Sequence, residues 1–230
     1  MANDDLIGEL PDRWNHLVGY SPPRPDAALA HYTLGGPYFP EFRDCEYAEH
    51  WRRAHDAIAL ADRLQHKFGQ GEAAGFCSTL HYFRGEISEA LQQAERAIDI
   101  CREGGFTVWL AHGRVMRGRC LAGLGDVVGG IAELQAGYNA WVRSGAQVTR
   151  PLYLSMLAEA LALDGRTDAA LAHLHEALAM AQRHGEGYYE AEILRLLGSI
   201  AAEAAQRSDD ARALDAAHGF LRQALHVAQT

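Results

Sequence analysis

The sequence holds a single lysine, Lys67. A phosphate-cradling loop of the type GxxxxGK followed by Ser or Thr needs that side chain on its phosphates. Lys67 is followed by phenylalanine, so P-loop nucleotide hydrolysis is excluded. The GxSxG elbow of serine hydrolases and the HExxH metal motif are also missing. Cysteine is sparse: Cys45, Cys77, Cys101 and Cys120 stand far apart with no CxxC spacing. That spacing argues against a zinc knuckle or a disulfide framework and predicts small core residues in a reducing, cytoplasmic setting. No run approaches the roughly 20 apolar residues that span a bilayer, so no membrane partner is expected. Positive charge is scarce as well. The net charge is −9, and the longest basic cluster is Arg52-Arg53. A nucleic-acid partner would demand the opposite balance.

Proline is confined. Pro11, Pro22, Pro23, Pro25, Pro37 and Pro40 precede residue 45, and only Pro151 follows it. Each fixes φ and removes a donor, so residues 1–44 are expected to form an irregular extension. From residue 45 to 230 the text turns alanine- and leucine-rich, with apolar residues three and four apart. That is the signature of amphipathic helices.

These helices repeat. Gly85, Gly125 and Gly165 are 40 residues apart, as are Gly105, Gly145 and Gly185. Small residues form further ladders on that period: Ser78, Gly118, Ala158, Gly198; Ala90, Gly130, Ala170; and Ala97, Gly137, Ala177. A fixed period of this length predicts helix pairs stacked as a solenoid. The glycines are expected to close helices in the left-handed conformation, and the small residues to let neighbouring helices approach closely. First helices are predicted over 72–84, 108–124, 150–164 and 188–204. Second helices are predicted over 87–103, 127–143, 167–183 and 210–228. Thr167 and Asp209 are the expected N-caps, and an unpaired helix is expected over 45–67.

Small residues at a fixed depth in one helix, a turn glycine and alanines at fixed offsets in the next resemble the tetratricopeptide repeat. The stretches DRLQHKFGQGEAAGFCSTLHYFRGE, GGFTVWLAHGRVMRGRCLAGLGD, SGAQVTRPLYLSMLAEAL and GEGYYEAEILRLLGSIAAE resemble the C-terminal helical region of bacterial signalling ATPases fused to adenylate-cyclase-type domains. The likeness covers about 54–230. It implies an all-α, right-handed superhelix of about four helix pairs that acts as a protein-binding scaffold. Carried onto this sequence, the partner groove falls at Tyr82, His112, Arg119, Ser155, Glu159, Glu192 and Arg195. Trp109, Tyr138, Trp141 and Tyr153 are expected to pack between repeats. A regulatory arm acting in trans on a signalling ATPase is a further reading of the same likeness.

Residues 7–51, which include WNHLVG and HYTLGGPYF, resemble the C-terminal end of glycogenin-class bacterial glycosyltransferases. There the loop histidine ligates a divalent metal beside the nucleotide diphosphate, and His31, Gly35 and Gly36 take those places. That class completes its metal site with an Asp-x-Asp pair, and no two aspartates in this sequence are separated by one residue. The loop is therefore expected to be vestigial. His173 and His175, two apart on a helix, point about 200° from each other and share no metal face. No catalytic residue, metal or cofactor is assigned, and the chain is expected not to be an enzyme. The alternative is a fragment of a nucleotide-sugar glycosyltransferase without its catalytic domain. The final predicted helix has no polar cap, so a homodimer through the C-terminal end is also expected.

Overall fold

The computed structural model describes residues 16–17, 30–31, 61–185 and 187–228. The chain divides into two compact units, Met1–Leu64 and Gln65–Thr230. The division falls some twenty residues beyond the change in composition near residue 45. In the first unit, β1 (His16–Leu17) pairs in parallel with β2 (Ala30–His31), setting Leu17 opposite His31. Residues 61–63 are helical and the chain turns over 64–66. The helix expected over 45–67 thus ends early, and Lys67 opens the next one. The rest of that helix, and the aromatic residues Trp14, Tyr20, Tyr32, Tyr38 and Phe39, lie outside the described residues.

The second unit is all helical among the described residues. It contains α1 (Lys67–Phe83), α2 (Ile87–Gly104), α3 (Thr107–Gly123), α4 (Val127–Arg143), α5 (Arg150–Leu163), α6 (Thr167–His184), a single 3-10 turn (Gly187–Tyr189), α7 (Glu190–Ser208) and α8 (Ala211–Val227). Each helix packs against the next, and the odd-numbered helices α1, α3, α5 and α7 also touch one another in sequence.

Local chemistry sets the boundaries. All six ladder glycines, from Gly85 to Gly185, have positive φ, the conformation that a β-carbon opposes. Three helices begin on a side chain that accepts from a first-turn amide, satisfying a donor the helix cannot. His66 Nδ1 accepts from Gly69, Asp126 Oδ1 from Gly129, and Asp210 Oδ1 from Arg212 and Ala213. Two expected caps move by one residue. Arg166 holds the N-cap position before Thr167, and Asp210 caps α8 while Asp209 closes α7 in the left-handed region.

The small-residue ladders meet where paired helices cross. Ser78 Oγ donates to the Ala90 carbonyl at 2.7 Å, joining α1 to α2. A β-carbon on Gly118 would stand 2.7 Å from the Gly130 carbonyl, so α3 and α4 cross backbone to backbone. At the fourth crossing Gly198 faces Leu221 and the Ala217 carbonyl. The 40-residue period would have placed Asp210 there. α7 runs 19 residues where α5 has 14. Ala217 lies seven residues beyond Asp210, close to two helical turns, so the same face is presented again. The core runs through this stack without a break. Val115, Met116, Leu134, Tyr153, Leu157, Leu174, Ile193 and Leu197 belong to one buried cluster. Cys101 and Cys120 are buried small core residues, and burial pushes both thiols up to about 11. Cys77 is half-buried.

Candidate functional site

The groove residues expected from sequence divide into two groups. His112 and Ser155 are buried, 5% and 0% exposed, and offer nothing to a partner. Ser155 spends its hydroxyl on the Pro151 carbonyl four residues back, at 2.8 Å. His112 sits among Phe76, Trp109, Trp141 and Tyr153. Its Nε2 lies 3.1 Å from the Gly75 carbonyl, which can only accept, so Nε2 carries the proton. Nδ1 then accepts from the Tyr153 hydroxyl at 2.5 Å. The same Nε2 is 3.1 Å from Thr79 Oγ1. One imidazole thereby ties α1, α3 and α5 together. Burial holds it neutral and lowers its pKa to about 4, against a smaller opposing push from the Gly75 carbonyl.

The likeness that put His112 in the groove matches positions along a helix and is blind to what the next helix covers. Trp141 packs edge-on against Tyr153 with centroids 5.2 Å apart, and its Nε1 donates to the Val148 carbonyl. Trp109 meets Phe76 at 4.9 Å. Tyr138 stays partly buried, its hydroxyl accepting from Arg150 at 3.3 Å.

The other five residues lie at or beside one place. Glu159 on α5 is the hub. Its Oε2 accepts from the Tyr82 hydroxyl at 3.1 Å and from Arg119 Nε at 3.3 Å, and its Oε1 from Arg119 Nη2 at 3.2 Å. The Arg119 guanidinium also stacks 5.1 Å from the Tyr82 ring centroid. Arg119 and Glu159 are one period apart, so adjacent odd-numbered helices bring them side by side. Both are largely withdrawn from solvent, at 13% and 20% exposure. Glu192 and Arg195, on the first turns of α7, form a two-pronged pair at 2.6 and 2.7 Å. That pair raises the Arg195 pKa above its ordinary value. Both remain accessible, at 35% and 49%. Burial, then the nearby Glu159 charge, raises the Tyr82 phenol, which stays a protonated donor.

Beside this cluster opens an apolar-lined cleft of about 920 Å³. Its walls are Tyr82 and Phe83 from the end of α1, Tyr189 from the turn before α7, Ala191, Glu192 and Arg195 from the start of α7, and Leu221, Ala224, Leu225 and Ala228 from α8 and the residue after it. The spacing of the last four is that of one helical stripe. Tyr189, Phe83, Leu221 and Leu225 escaped the sequence reading. The first follows a loop, and the leucines fall where the 40-residue period has slipped by two turns.

Among the described residues no group of three or more His, Cys, Asp or Glu side chains could hold a metal ion. Of the residues at the glycosyltransferase-like loop, His31 is placed by its backbone in β2, while Gly35 and Gly36 lie outside the described residues. No described helix is long and apolar enough to cross a membrane.

No protein-family model matches the sequence. The chain is similar to an uncharacterized protein of Rhizobium meliloti (strain 1021), with 25% identity over 173 residues, which is 75% of this chain and 16% of that protein. It is also similar to Protein CDI of Arabidopsis thaliana, with 40% identity over 53 residues, 21% of this chain and 20% of that protein. The chain thus spans a fifth or less of the length of each of these relatives.

Proposed function

We propose that the chain is a protein-interaction scaffold of regulatory type, a right-handed solenoid of about four helix pairs related to the tetratricopeptide repeat. Its partner is a protein segment that lays an apolar face into the cleft between α1, α7 and α8. The observation that carries this reading is the combination of chemistries in that cleft. Apolar surface from Phe83, Leu221 and Leu225 lies beside an accessible carboxylate and guanidinium, Glu192 and Arg195. Apolar area supplies affinity, and the charged pair supplies register, as in grooves that take amphipathic helices. Phe83 and Leu225 are 52% and 64% exposed, a large apolar surface for one small region.

A photo-crosslinking amino acid at Leu225 tests the reading in the native host. The expected result is a discrete covalent adduct that disappears when Arg195→Glu is added. The same crosslinker at Leu163, exposed at the end of α5, is expected to give no such adduct. Equal adducts from both positions, or none from Leu225, would sink the proposal.

A further inference from the structure

We infer that Tyr82, Arg119 and Glu159, together with the Phe83–Tyr189 ring contact, form a clasp that gates the cleft. This rests on the reading of the cleft as the binding surface and concerns how that surface is opened.

In a stacked array each unit contacts only its neighbours, so the two ends are free to flex relative to one another. Here two contacts skip over neighbours. The Tyr82 hydroxyl on α1 reaches Glu159 on α5, 77 residues away, passing the intervening α3. The Phe83 ring at the end of α1 lies 6.2 Å from Tyr189, just before α7. The odd-numbered helices are therefore drawn in until the first meets the last. Arg119 on the middle helix completes the closure, with two hydrogen bonds to Glu159 and its cation over the Tyr82 ring.

Three members of the clasp, Tyr82, Phe83 and Tyr189, are also walls of the cleft. The separation of the end of α1 from the start of α7 is thus set by the clasp and sets the width of the cleft. Releasing Glu159 removes the hydrogen-bonded link between α1 and α5 and leaves the Phe83–Tyr189 ring contact and the Arg119–Tyr82 stacking at the mouth. The device is local: one carboxylate, Glu159, takes all three donors. Hydrogen bonds to a charged group are the strong kind, so the closed form is favoured until a competitor takes over a donor or the carboxylate.

The test needs no partner. Amide exchange by mass spectrometry over residues 80–84 and 187–195, with the radius of gyration from small-angle scattering, is compared between the wild-type chain and Tyr82→Phe/Glu159→Gln. The expected result is ~10-fold faster exchange in both segments, the scale set by losing one charge-assisted hydrogen bond, and a larger radius. Glu133→Gln serves as control. It breaks a similar cluster, Arg114 and Arg117 on α3 with Glu133 on α4, which joins neighbours only, and should leave both segments unchanged. Should the double variant lose its helical signal, Tyr82→Phe alone keeps every ring contact and still deletes the long link. A folded variant with wild-type exchange at 80–84 and 187–195 overturns the clasp. In that event Leu225 crosslinking decides separately whether the cleft binds, since that experiment uses the unaltered clasp.

Discussion

His112 lies where α1, α3 and α5 meet, bonded to Gly75 on one side of its ring and to Tyr153 on the other. The tetratricopeptide likeness sets it on the inner side of α3. Its burial follows from Tyr153 and Trp141, which arrive from later helices and close over it. The neutral ring accepts from Tyr153 and donates to Gly75, so a second proton would leave Nδ1–H facing a hydroxyl that must turn away. The consequence is a pH dependence with a definite sign. The folded pKa, about 4, lies below the ordinary value of 6.5. Between those values the unfolded chain binds more protons than the folded one, so stability rises with pH across that window. The contribution is complete above pH 6.5 and is lost as pH falls toward 4. The loss is about 2 kcal/mol at pH 5 and about 3 kcal/mol at pH 4. Urea unfolding at pH 7 and pH 5 reads it directly. His112→Gln is expected to lower stability at pH 7 and to flatten the slope from pH 7 to 5. An unchanged slope would place the ionisation elsewhere.

At the scale of the helix, the ladders of small residues were the most informative text in the chain. A glycine in mid-helix is costly unless something approaches it closely, so a glycine repeated at one depth announces a crossing. Gly130 illustrates the reason. A β-carbon there would lie 2.6 Å from the Gly118 carbonyl and 2.7 Å from the Ala122 amide nitrogen, backbone atoms that move only if α3 and α4 separate. Gly130→Ala is expected to destabilise the fold by about 2–3 kcal/mol. Gly219, in the middle of α8, has nothing within 4 Å of its would-be β-carbon. Gly219→Ala is expected to stabilise by about 0.5–1 kcal/mol, because the change removes freedom from the unfolded chain without a clash. Thermal melts of the two variants should move in opposite directions, and a common direction would contradict the crossing geometry. What sequence could not foresee was the register of the crossing in the fourth pair. A ladder detects a fixed period, and two added turns keep the face while breaking the count. Ala217 therefore takes the place that the fixed period would have given to Asp210. For the same reason Leu221 and Leu225 were missed as walls of the cleft.

At the scale of the whole helical unit, the groove expected from sequence is partly occupied by its own side chains. Tyr82, Arg119 and Glu159 bind one another, and accessible surface is displaced toward α8. The tetratricopeptide likeness pointed to these residues because each lies on the matching face of an odd-numbered helix. It carried no information on how tightly the stack curls, and curling decides whether facing side chains meet a partner or each other. The curl also has an energetic consequence. A linear stack held by neighbour contacts alone opens in parts, its terminal pair first. Contacts from α1 to α5 and from α1 to the start of α7 make loss of the last pair costly to the first. Native-state amide exchange as a function of urea is therefore expected to give the same opening free energy and the same urea slope for the slowest amides of α2 and α7 in the wild-type chain. In Tyr82→Phe/Glu159→Gln the two should part, with α7 opening at lower free energy and with the smaller slope of a partial opening. If α2 and α7 already differ in the wild-type chain, the closing contacts do not couple the ends. The helical unit would then behave as the neighbour-by-neighbour stack that its sequence alone describes.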